Sequence, residues 1–85
     1  MPKITKTQAY ALNIPNKSLQ TILFDKDSWN IPQAKHWLKI HKYHYKEWRQ
    51  TANQYRFWQI PDIIGAKFYS KRIPTLGVVL VFQEY

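Results

Sequence analysis

The sequence predicts an α+β fold, a single amphipathic helix packed on a small, mainly antiparallel sheet of about four strands in the order β-α-β-β-β. Only one segment, residues 31–41, combines helical periodicity with an N-cap. Several other segments alternate or run apolar over strand length. Two of these are separated only by QTAN at 50–53, a gap that favours an antiparallel hairpin. The chain of 85 residues is sized for one domain, with residues 1–18 as an arm and 19–85 as the folded unit.

Residues 1–18 hold two prolines and three lysines, and no period persists. One short strand is expected around 9–12. Residues 19–25, LQTILFD, form the first full strand, with Leu19, Thr21 and Leu23 on one face and Gln20, Ile22 and Phe24 on the other. Asn30 then caps the helix, with Gln33 at capping-box spacing and Pro32 in the first turn. Ile31, Ala34, Trp37, Leu38 and His41 fall on an arc of about 120° that must pack on a sheet. Lys35, Lys39 and Lys42 form a basic stripe beside it. A solvated helix face explains that stripe as simply as a binding surface does.

Residues 43–49, YHYKEWR, read as the second strand, with Tyr43, Tyr45 and Glu47 on one face and His44, Lys46 and Trp48 on the other. QYRFWQI at 54–60 returns as the third, with Tyr55, Phe57 and Gln59 opposed to Gln54, Arg56, Trp58 and Ile60. Pro61 stops it. A loop follows, with a short extended piece at 68–73. VVLVF at 78–82 closes the fold and is apolar on both faces, as expected of a strand inside the sheet. One helix covers only one face. The other needs the arm, the 61–73 loop or a second chain.

Composition narrows function. Thirteen basic residues against five acidic ones make a net charge of +8, which favours polyanionic partners. No cysteine is present, which removes disulfide frameworks and cysteine metal sites. No apolar run approaches the ~20 residues of a membrane span. The N-terminal stretch lacks a secretory pattern, so an intracellular location is expected. His36 and His41 lie about 140° apart on the helix and do not converge on a metal. Ser18, Ser28 and Ser70 sit in no nucleophile motif, and the acids Asp25, Asp27, Glu47, Asp62 and Glu84 are scattered. Two glycines cannot build a phosphate cradle. No catalysis, cofactor, metal or small-molecule substrate is expected.

Nucleic-acid binding is the leading expectation. Its residues are Lys46, Trp48, Arg49, Arg56, Trp58, Lys67, Lys71 and Arg72, with Lys35, Lys39 and Lys42 as a secondary stripe. Lys46, Trp48, Arg56 and Trp58 are expected on one hairpin face, where cations hold phosphates and indoles stack on bases. Should the helix cover that face, the stacking surface disappears and the tyrosines are exposed instead. The alternative is a protein-interaction or assembly module, including a homodimer through an uncovered apolar face.

The run LFDKDSWNIPQAKHWLKIHKY, then YRFWQIP, then KFYSKRIPTLGVVLV, resembles a small domain of tailed-phage structural and prohead-protease-associated proteins and of large DNA viruses. Ala34, Trp37, Leu38, Lys39, His41 and Tyr43 match its helix pattern. Tyr55, Arg56, Phe57 and Gln59 match its hairpin, and Phe68, Lys71, Gly77 and Val78 its closing part. Trp58 stands where a second arginine is usual, His44 where a glycine-rich turn is usual, and the last strand lacks a final glycine. The resemblance implies a viral, non-catalytic protein of the host cytoplasm or the virion.

Overall fold

A computed structural model describes residues 3–85, so the first two residues of the expected arm lie outside the described residues. In chain order the elements are β1 (Lys3–Ile4), α1 (Lys6–Ala11), β2 (Lys17–Asp25), α2 (Ile31–Ile40), β3 (Trp48–Gln50), β4 (Gln54–Trp58), β5 (Asp62–Ile63), β6 (Lys67–Ile73) and β7 (Val78–Glu84). Five of the strands form an antiparallel sheet of order β3-β4-β2-β7-β6, while β1 pairs in parallel with β5. The fold is α+β, with one more helix and more strands than expected.

The helix α2 follows from local chemistry. The Asn30 side chain accepts from the Gln33 N–H at 2.9 Å, and the Gln33 side chain accepts from the Asn30 N–H at 3.0 Å. Lys42, at φ 64°, turns the chain out of the helix, and the Tyr43 N–H donates to the Leu38 carbonyl. His41, expected on the buried arc, is the exposed C-cap.

One face of the sheet packs under α2. Ile22, Phe24, Phe57 and Val78 are fully buried there with Ala34 and Leu38. Trp29, Trp37, Tyr45, Trp48, Tyr55, Leu19 and Leu80 close around them. Phe24 is the hub, edge-on to Trp29 at 4.9 Å, Phe57 at 5.5 Å and Trp37 at 5.7 Å.

Three expectations are corrected. The arm carries structure: α1 begins at a Thr5–Gln8 capping box, so 9–12 is helix end rather than strand, and Ala9 is buried. A bulge at Gln20 shifts β2, so Leu19 turns from the face of Thr21 to that of Ile22. The second strand is only Trp48–Gln50; before it, the Gln59 side chain bonds both the N–H and the carbonyl of His44, holding 43–47 as a loop. Residues 67–73 form a strand, one residue longer than the extended piece expected at 68–73. β7 lies inside the sheet between β2 and β6, as expected.

Gly77 makes the β6–β7 turn at φ +66°, and a Cβ there would stand 2.8 Å from Ser28 Oγ. The uncovered face of β7 is partly sealed at one end. Buried Gln83 accepts from the Ile63 N–H and donates to the Pro61 carbonyl, which holds β5 and its partner β1 in place.

Candidate nucleic-acid interface

On the sheet face away from α2, strand register lines residues up in transverse rows. Arg49 lies opposite Arg56, Arg56 opposite Leu23, Leu23 opposite Val79, and Val79 opposite Arg72. One row therefore crosses all five strands, about 19 Å at ordinary strand spacing, with arginines at both ends and an apolar middle. The next row is Trp58, Thr21, Val81 and Ser70. Phe68, 49 % exposed, stands beside Gln83 on the same face.

The arginines differ. Arg49 and Arg56 are like charges directly opposite each other, and neither has an acidic partner within 4.0 Å among the described residues. The Arg56 guanidinium lies 5.2 Å from the centre of the Trp58 ring, and its buried Nε has no hydrogen-bond partner. Arg72 instead donates to Asp25 at 2.7 Å. The hydrogen bond from Gln54, followed by that from Arg72, holds the Asp25 carboxyl below its ordinary pKa. Part of the Arg72 charge is therefore answered within the fold.

Two grooves border this surface. One of about 420 Å³ runs between Leu23, Phe68, Ser70, Arg72, Val79 and Val81. The other, about 510 Å³, lies where Trp58 and Gln59 meet the 43–47 loop, and Tyr43, Tyr45 and Lys46 line it.

The expected site residues divide among three places. Arg49, Arg56, Trp58 and Arg72 share the open face. Lys46 lies in the loop beside Trp58. Trp48 is corrected to the α2 side: it faces Phe57 in the register and stacks on it at 5.9 Å. The loop before β3 sets that phase, so Arg49 takes the position expected of Trp48. Lys67 and Lys71 point to the α2 side of β6, since Lys71 pairs with Leu80. On α2, Lys35 Nζ lies 5.4 Å from the Trp48 ring, and Lys39 is exposed, as is Lys42 just beyond the helix. The basic residues thus lie on both sides of the sheet: the open-face arginines share a face with Trp58 and Phe68, while Lys67 and Lys71 flank the exposed Tyr69, over which Lys17 lies at 5.2 Å, on the other.

Phe68 also belongs to this face, although the pattern of cations and indoles in the sequence does not single it out. Its spacing of four from Arg72 puts the two on one face once 67–73 is recognised as a strand. Of the histidines, His41 packs 4.1 Å from Trp37 and His44 is clamped through its backbone. Among the described residues no three His, Asp or Glu side chains gather as a metal site. No helix among them is long and apolar enough to cross a membrane.

Comparison of the chain with protein-family models, with curated proteins and with solved structures finds no match.

Proposed function

We propose that this chain is a small, basic, non-enzymatic binding protein that engages nucleic acid with low sequence specificity through the open face of its sheet. The observation that carries this reading is the row Arg49–Arg56–Leu23–Val79–Arg72 beside Trp58 and Phe68. Arg49 and Arg56 repel each other across the strand pair, and a phosphate between them relieves that repulsion. Trp58, braced by Arg56, supplies a ring on which any base can stack. No helix is placed to read base edges, so affinity comes from phosphates and stacking. A viral origin, in host cytoplasm or virion, rests on the resemblance to the phage domain.

The test is a titration against a labelled single strand and a duplex, at low and then moderate salt. Binding should fall steeply with salt. Arg49→Ala with Arg56→Ala should lower single-strand affinity by about tenfold or more and reduce the log–log salt slope by about 1.4. Unchanged affinity and slope in a folded double variant would overturn the reading.

A second reading, as an assembly or protein-interaction module, draws on a different surface. A groove of about 500 Å³ on the α2 side is lined by Trp29, Trp37, Ile40 and Leu76, with Ile40 60 % exposed. Binding through that groove would depend on Ile40 and Leu76 and only weakly on salt.

A further inference from the structure

The sheet has two unequal edges. β3 is three residues long and carries the charged Arg49. β6 is seven residues long, exposed at every position but its last, and pairs with β7 without a bulge. It contains no proline. Its two lysines and Arg72 are the charges it sets against edge pairing. Their spacing suits a particular partner.

We propose that β6 pairs antiparallel with β6 of a second copy of this chain, about a two-fold axis at Ser70. Antiparallel neighbours related by a two-fold axis keep the same face upward, so only registers in which opposed residue numbers sum to an even value are allowed. With the axis at Ser70 all seven residues pair. Phe68 then faces Arg72 of the copy, Tyr69 faces Lys71, Lys67 faces Ile73, and Ser70 faces itself. Each cation meets an aromatic or aliphatic side chain. Moving the axis to Tyr69 sets Lys67 against Lys71, and moving it to Lys71 sets that lysine against itself. Among the registers that pair five or more residues of β6, those with the axis at position 69, 70 or 71, the one at Ser70 has the longest overlap and is the one without directly opposed like charges.

The contact is self-complementary, so it closes at two copies rather than propagating into a fibre. It adds roughly six to eight main-chain hydrogen bonds to an edge that otherwise bonds water. The short β3 strands become the outer edges of the joined sheet. Both open faces lie on one side, so each Arg72 stands next to the copy's Phe68. Two chains of charge +8 repel. Added salt therefore strengthens the pairing, opposite in sign to its effect on polyanion binding.

Sedimentation equilibrium of the full chain, without nucleic acid, tests this independently of the proposed function. The mass should rise from 10.3 kDa toward twice that value with concentration, and more so at higher salt. Ser70→Lys, which sets two cations against each other at the axis, should return the mass to that of the monomer, with the melting temperature unchanged at a dilution where the parent is also a monomer. Single cysteines then read the register. Ser70→Cys should form an intermolecular disulfide readily under mild oxidation, and Phe68→Cys or Arg72→Cys alone should not, but a mixture of those two variants should cross-link. A monomer mass up to about 1 mM at all salt concentrations would overturn the proposal. So would a Ser70→Lys variant that stays dimeric, or equal self-cross-linking at positions 68, 70 and 72.

Discussion

The face of the sheet under α2 buries Ile22, Phe24, Phe57 and Val78 completely, while the opposite face of the sheet leaves Arg49 and Arg56 without an acidic partner among the described residues. Alternate residues of β4 separate the two: Tyr55 and Phe57 go to the core, and Arg56 and Trp58 go to the other side. The covered face holds the fold together by aromatic burial. The other face buries Thr21, Val79 and Gln83, yet it also carries opposed arginines and an Arg56 Nε without a partner among the described residues, neither of which stabilises the fold. The contrast teaches where substitutions should reduce stability and where they should reduce binding.

The largest expected effect breaks the covered face. Phe57→Ala removes a ring packed against Phe24 and Trp48 and should cost about 3–5 kcal/mol in urea unfolding. For a domain of this size that is a large share of the total stability.

The two hairpin tryptophans sharpen the comparison. Trp48→Ala should cost about 2 kcal/mol of stability, because its indole stacks on Phe57. Trp58→Ala should weaken single-strand binding by about 1–3 kcal/mol while leaving the salt slope nearly unchanged, because a stacked ring releases no counterions. Parallel unfolding and binding curves for the two variants check this. If both lost stability alike and neither lost binding, the division between the faces would fail.

Arg49→Ala is expected to change stability by less than about 0.5 kcal/mol, or to raise it, since it removes a like-charge pair from an exposed strand. Its binding salt slope should fall by about 0.7. Urea unfolding and a salt series check the two parts separately.

Asp25 gives the smallest effect, through pH. Its folded pKa lies below the ordinary 3.8, so its contribution to stability is present above that value and is lost as the pH falls through the lower folded value. Asp25→Asn should therefore be slightly less stable than the parent at neutral pH. The difference should close in acid, which melting curves across the acid range can follow.

Much of this division was legible from local pattern. The Asn30–Gln33 capping box, the arc around Ala34 and Leu38, and the alternation of β4 depend on neighbours within a few residues, and each matches the structure except at His41, which ends the helix exposed. The Thr5–Gln8 box at the start of α1 was equally local, but the six-residue helix behind it is too short to show a period. The phase of β3 was not legible. It depends on the Gln59 amide gripping His44 fifteen residues away, a side-chain contact that no alternation rule contains. The face of Leu19 depends on the bulge at Gln20, whose amide reaches Asp62 across the fold at 2.5 Å. The extended piece expected at 68–73 matches β6 to within one residue, but its place at the sheet edge depends on pairing with β7 and is not written in its own residues.

The most direct test of the open face uses the indole N–H signals of the four tryptophans in a nuclear magnetic resonance titration with a short single strand. Trp29, Trp37 and Trp48 pack against the core under α2, and Trp58 lies beside Arg56 on the other side. The account predicts that the Trp58 signal shifts at low salt in step with the added strand while the other three hold still, and that Arg49→Ala with Arg56→Ala reduces that shift. Movement of the Trp29, Trp37 or Trp48 signals with Trp58 unmoved, or no movement of any, would contradict it.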